Sequence, residues 1–169
     1  LKDHIVPLLR ERNVDVRSTA SETLGKLPTD ELVKLKGQLI TILNIQDPQV
    51  HSSVYQILEK LPADELVEVI VLLLRDQRGD VRASACKTLR KLPVNQMVKL
   101  KDQFLLLLKD ADERVCSAAW ETLGKLPTGE QVQAIAPLLQ DEMSHVRLAL
   151  EALEKLPRDE VVQVKSQLV

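Results

Sequence analysis

Aromatic side chains are nearly absent: of 169 residues only Tyr55, Phe104 and Trp120 are Phe, Tyr or Trp. A core for a chain of this length must therefore be built from Leu, Val, Ile and Ala, which dominate an apolar content of 44%. Glycine and proline are also few, five and eight, and they recur at regular places, which argues against a disordered chain. The two cysteines, Cys86 and Cys116, show neither metal-ligand spacing nor a disulfide framework, so a reducing compartment, the cytoplasm, is expected. The longest aliphatic run, Val69 to Leu74, is far too short to cross a bilayer, and no secretory leader is visible. Charge of one sign is missing too. Charged residues make up 28% of the chain but sum to −2, with no basic block, which speaks against nucleic acid and anionic membrane as partners.

What the chain has is repetition. Lys-Leu-Pro occurs five times, at Lys26-Leu27-Pro28, Lys60-Leu61-Pro62, Lys91-Leu92-Pro93, Lys125-Leu126-Pro127 and Lys155-Leu156-Pro157, with the prolines stepping by 34, 31, 34 and 30 residues. Val16, Val50, Val81, Val115 and Val146 move with them. A period of this size marks an array of units, each burying its apolar face against its neighbours.

Each unit reads as two helices, A and B. Helix B is predicted to begin at the marker valine. Counting from it, small or apolar residues recur at +4 (Ala20, Val54, Ala85, Ala119), +8 (Leu24, Leu58, Leu89, Leu123) and +11 (Leu27, Leu61, Leu92, Leu126). At 3.6 residues per turn these positions fall within about 80° and form one core-facing stripe. Asp47-Pro48 reads as an N-cap followed by proline at the first helical position, and Asp80 of Arg78-Gly79-Asp80 as a second N-cap after a turn glycine. Lys-Leu-Pro should end helix B: proline excludes the α conformation before it, the Lys meets the negative end of the dipole, and the Leu makes the last core contact. The acids that follow, Asp30-Glu31, Asp64-Glu65, Glu130 and Asp159-Glu160, suit the first turn of a new helix A. No stretch alternates as a strand would, so the chain reads as all-α.

Paired helices of this length, an Asp ahead of helix B, and the pairs Val16-Arg17, Val81-Arg82 and Val146-Arg147 resemble HEAT repeats, in the short form of the phycobilisome-lyase type. Pro7 and Pro137 within A segments fit the kinking proline of that family. The resemblance implies a right-handed α-α superhelix, a solenoid of five antiparallel helix pairs, as one array over 1–169. Its repeats run approximately 1–27, 28–61, 62–92, 93–126 and 127–156, with a partial helix at 157–169. Neither end carries a capping repeat, so a piece of a longer array is expected, with end-to-end self-association as the alternative.

A longer period lies beneath the short one. Val16, Val81 and Val146 are 65 apart, as are Val50 and Val115. After the valine stand Arg17, Arg82 and Arg147 in odd repeats, but His51 and Cys116 in even ones. Even repeats carry Tyr55 and Trp120 at +5, and share Leu35-Lys36-x-Gln38 and Leu100-Lys101-x-Gln103. The last B segment, Val146 to Pro157, is one residue short, which predicts a shifted cap or bulge there.

Two sets of residues are candidates for a role. The resemblance implies that Arg17, Arg82 and Arg147 form a structural ladder, each pairing with an Asp of a neighbouring repeat (Asp15, Asp47, Asp80, Asp110 or Asp141), which one arginine per double repeat suits; a binding stripe is the alternative. Tyr55 and Trp120 flank the core stripe by roughly 100°, where they either anchor a partner or fill gaps in an aromatic-poor core. The outward offsets +2, +6 and +9 give a polar face of Ser18, Glu22 and Gly25; Ser52, Gln56 and Glu59; Ala83, Lys87 and Arg90; and Ser117, Glu121 and Gly124. Glu22, Gln56, Lys87 and Glu121 are thus candidate partner contacts beside the aromatics. His4, His51 and His145 are scattered, so no metal, cofactor or catalytic residue is expected. The resemblance implies a non-catalytic scaffold holding a protein or peptide on the concave helix-B surface. The alternative is an accessory subunit or domain of a HEAT-like enzyme of lyase or DNA-glycosylase type.

Overall fold

The computed structural model of the chain describes residues 2–45, 47–140, 151 and 154–155. Among these every regular element is helical. The chain packs as two compact units, Leu1–Leu73 and Leu74–Val169. The first contains α1 (Lys2–Ile5) running into a 3-10 turn at Val6–Arg10, then α2 (Val14–Leu24), α3 (Thr29–Ile42), α4 (Pro48–Leu58) and α5 (Ala63–Leu73). The second contains α6 (Gly79–Leu89), α7 (Val94–Lys99), α8 (Lys101–Leu105) with a 3-10 turn at Leu106–Lys109, α9 (Glu113–Leu123), and α10 (Thr128–Ile135) with a 3-10 turn at Ala136–Gln140. The B helices are α2, α4, α6 and α9. Of the last B segment, Val146 to Pro157, only Glu151, Glu154 and Lys155 are described, so Arg147, the shifted cap or bulge expected there, Asp141, His145 and the helix from 157 lie outside the described residues.

The B helices start two residues ahead of the marker valine. For α2, α4 and α9 the cause is the cap. Asn13 accepts from the amides of Asp15 and Val16 at 2.8 and 3.4 Å, Asp47 from Gln49 and Val50 at 2.8 and 3.3 Å, and Asp112 from Arg114 at 3.0 Å. A side chain that satisfies these otherwise orphaned amides fixes the start of the helix. Asp80 is not such a cap: Arg78 holds the N-cap position of α6, and Gly79 and Asp80 are its first two residues. A Cβ at 79 would lie 1.9 Å from the Asp112 carboxylate, so any larger residue there must push aside the side chain that caps α9.

Lys-Leu-Pro works as a reused corner, but helix B ends before it. The α-helix stops at the +8 leucine (Leu24, Leu58, Leu89, Leu123), and the +11 leucine sits in the turn that follows. There the Lys and Leu amides close 3-10-type bonds, such as Lys60 N to Ile57 O at 3.0 Å and Leu61 N to Leu58 O at 3.0 Å. The same bonds recur at 26–27, 91–92 and 125–126. Proline has no amide to extend this ladder, and its fixed φ near −55° with ψ near 145° turns the chain outward. Its carbonyl then accepts the first bond of helix A: Leu32 N to Pro28 O, Leu66 N to Pro62 O, Met97 N to Pro93 O and Gln131 N to Pro127 O. Proline thus stops the 3-10 turn that follows helix B and opens helix A. The acids Asp30, Glu31, Asp64, Glu65 and Glu130 fall in the first turns of α3, α5 and α10, where the dipole favours them.

The A segments are less regular than the B helices. Pro7 and Pro137 sit where α geometry tightens to 3-10, and the fourth A segment breaks at Leu100 (φ −96°, ψ 1°) between α7 and α8. The predicted stripe forms the core: the +4 and +8 residues are at most 3% exposed, and Leu61, Leu92 and Leu126 are buried, while Val16 and Leu27 in the first repeat are half-buried. In the first unit the stripe meets Leu32, Leu35, Leu39 and Ile42 of α3; in the second, Phe104 is fully buried among aliphatic side chains. Truncating Leu58→Ala, at 0% exposure, should cost about 3 kcal/mol, while Leu106→Ala, at 77% exposure, should stay within about 0.5 kcal/mol. Urea unfolding of the two variants checks the contrast.

Candidate functional site

The corner between helices A and B leaves backbone carbonyls without helical partners. The residue after the marker valine supplies donors to them in each described repeat. Arg17 Nη1 donates to Glu11 O and Arg12 O at 2.6 and 2.9 Å. Arg82 Nη1 donates to Asp76 O and Gln77 O, both at 2.8 Å. In the even repeats His51 Nε2 donates to Leu43 O and Ile45 O at 2.9 and 2.6 Å, and the Cys116 thiol to Leu108 O at 3.1 Å. These carbonyls accept only, so His51 carries its proton on Nε2. Residues as different as Arg, His and Cys thus share one task.

The arginines have donors to spare, and these reach the next repeat. Arg82 grips Asp110 with two parallel bonds, Nε to Oδ2 at 2.8 Å and Nη2 to Oδ1 at 2.7 Å. The pair is 16% and 9% exposed. The Arg82 bond is the main cause that holds the Asp110 carboxyl below the usual carboxylate range, against a smaller opposing effect of burial. Arg17 instead meets the side-chain oxygen of Gln49, so the expected aspartate is absent at that rung. The A side has its own rungs, one per 65 residues. Lys36 binds Glu65 and, at 2.7 Å, Glu68; Lys101 binds Glu130 at 2.5 Å, with Gln133 at 3.5 Å. The shared Leu-Lys-x-Gln signature marked these lysines without revealing their partners.

The aromatic pair separates. Tyr55 is 7% exposed and lies with the core of the first unit, so it presents no ring to a partner. Trp120 is half-buried and lines a cleft of about 770 Å³ in the second unit, with Glu113, Ser117, Lys125, Gln131 and Lys155. Its indole nitrogen is buried without a hydrogen bond of ordinary geometry. Burial raises the neighbouring Cys116 thiol above its usual range, against a smaller lowering by the Trp120 N–H beside it, and pushes the Cys86 thiol up to about 12. Neither cysteine is poised as a nucleophile.

Of the outward row, Glu22, Gln56, Lys87 and Glu121 are exposed. Glu22 pairs with Lys26 at 2.7 Å and Glu121 with Arg90. Ala83 departs from the expectation: it is 6% exposed, because α6 packs along α9 on that side. A second, smaller cleft of about 380 Å³ runs along the other flank of α9, lined by Lys87, Arg114 and Ala118, and shares Glu113, Ser117 and Glu121 with the first. Among the described residues no group of three or more His, Cys, Asp or Glu side chains is placed to hold a metal ion, and no helix is long and apolar enough to cross a membrane.

A sequence model described as HEAT repeats matches residues 68–154, just over half of the chain. The chain belongs to the HEAT-repeat family. Its all-helical fold is that of an α-solenoid, and solved structures share it. YibA of Escherichia coli superposes with a TM-score of 0.59 at 18% identity, covering 96% of this chain and 62% of that one. A designed armadillo repeat protein in complex with the peptide (KR)4 superposes at 0.50 and 15%, covering 97% and 87%. No curated protein matches this HEAT chain in sequence.

The Arg82–Asp110 clasp gives a test with a defined sign. A carboxyl whose pKa is lowered on folding contributes stability above its unfolded value, near 4, and loses it as pH falls through the lower folded value. Arg82→Met should therefore cost about 3 kcal/mol near neutral pH, because it strands a buried carboxylate and two carbonyls, and clearly less near pH 2. Urea midpoints at the two pH values read this out, and an equal loss at both would remove the electrostatic account.

Proposed function

We propose that the chain is a non-catalytic protein-binding array, approximately five repeats at 1–27, 28–61, 62–92, 93–126 and 127–156, that holds a partner segment on its B-helix face. The observation that carries this reading is the cleft at Trp120: a large, half-buried ring in a groove on an otherwise small and polar helix face. Anchoring aromatics in such settings supply most of the energy of many interfaces. Lys87 and Glu121, beside the clefts along α9, are rim contacts in this reading. Glu22 and Gln56 hold the equivalent outward offset on the B helices of the first unit and are contacts there in the same reading. Tyr55 stays a core residue.

Fold supports the reading as well. The armadillo neighbour binds its peptide with a stacked-helix scaffold of the same class, and solenoids of this kind offer extended surfaces suited to a chain lying across several helices. The small net charge of −2 supports protein over nucleic acid as the partner.

The test is a selection from a displayed random-peptide library against the folded chain. The expected result is a family of binders that lose about tenfold or more in affinity against Trp120→Ala. Circular dichroism should confirm that the variant remains folded. Binders indifferent to Trp120→Ala would move the site elsewhere, and a selection that yields none would reject the reading.

A further inference from the structure

The Trp120 cleft is charged unevenly along its length. Glu113 is the first residue of α9 and exposed, and it makes no ion pair among the described residues. Lys125 follows the end of α9, is exposed, and likewise has no ion pair; Lys155, also exposed, is part of the lining. The charges between these ends are engaged: Arg90 is neutralised by Glu121, and Glu151 has an interaction of its own. What remains open to a ligand is the acid Glu113 at the start of α9, the base Lys125 past its end, and Trp120 between, with Lys155 also on the lining.

The spacing sets a length. Glu113 and Lys125 are twelve residues apart, about 18 Å at 1.5 Å per helical residue. Trp120 lies about 10 Å from the acidic end and about 7 Å from the basic end by the same rise. An extended chain advances about 3.3 Å per residue, so about six residues span the cleft.

Resting on the protein-binding reading above, we infer that the cleft takes an extended peptide segment of another protein that carries a basic residue, an apolar residue about three positions away, and an acidic residue about two positions further. The basic residue lies toward Glu113, the apolar one packs on Trp120, and the acidic one lies toward Lys125. Uniformly basic or uniformly acidic segments meet a like charge at one end, which disfavours them.

Trp120 is the chain's one tryptophan, so its fluorescence reports directly on the cleft. The probes are three acetylated and amidated hexapeptides with glycine-serine-leucine-serine at their centre. One begins with lysine and ends with glutamate, one has lysine at both ends, and one has glutamate at both. Titrated at low salt, the mixed peptide should shift Trp120 fluorescence saturably and bind at least about threefold more tightly than either uniform one, the margin expected of two exposed charge pairs. The margin should shrink in high salt. Glu113→Lys should transfer the preference to the doubly acidic peptide.

Equal binding of all three would overturn the charge pattern while leaving the protein-binding reading intact. No response to any hexapeptide, while library-selected binders still depend on Trp120, would also overturn it and leave that reading standing. A concentration-dependent shift without peptide would overturn it by assigning the cleft to a second copy of the chain.

Discussion

The constraint on which the rest of the structure depends is the corner between helices A and B. A chain that turns back on itself between two packed helices must leave carbonyls pointing into the corner, and a buried carbonyl without a donor is costly. This chain meets the need from one position, the residue after the marker valine. Arg17 and Arg82 do so with a guanidinium, His51 with an imidazole N–H, and Cys116 with a thiol. The second corner, at Lys-Leu-Pro, needs no side chain, because 3-10 bonds and the proline carbonyl close it from the backbone.

Seen this way, the 65-residue period is a physical alternation. A donor that only closes its own corner can be His or Cys. One that must also reach the following repeat needs the fork of an arginine, with five N–H donors. The odd repeats carry the fork, and Arg17 and Arg82 join repeats one to two and three to four through Gln49 and Asp110. From even to odd repeats the rungs stand on the A side, Lys36 to Glu65 and Lys101 to Glu130. The two kinds of rung differ in strength. The Arg82–Asp110 clasp is bidentate and mostly buried, whereas the lysine rungs are 26–31% exposed at the lysine and its nearer glutamate, so salt and water weaken them.

Much of this was legible in the sequence because it depends on spacing. The stripe at +4 and +8, the punctuation by Lys-Leu-Pro and the acidic first turns all follow from helical period and proline chemistry. The helix ends were less legible, because an Asn or Asp cap decides the start and a 3-10 turn the finish, each within two residues of the repeat marker. The ladder was half legible. An Arg per double repeat announced itself, but Gln49 in place of an aspartate did not, nor did the kinship of His51 and Cys116 with Arg. Their likeness is one of geometry, not of charge. Tyr55 and Trp120 hold the same place in the pattern and differ in fate, since burial depends on what packs beside a side chain and not on its offset.

The corner account is tested most directly by native-state hydrogen exchange on His51→Ala beside Ser52→Ala, whose side chain is exposed one position away. If the imidazole N–H holds the corner, amides from Leu43 to Asp47 should exchange at least about tenfold faster in His51→Ala while the middle of α3 keeps its protection, and Ser52→Ala should match the parent chain. Unchanged corner amides in His51→Ala, or a uniform loss of protection throughout the first unit, would contradict the claim that this single position holds the corner.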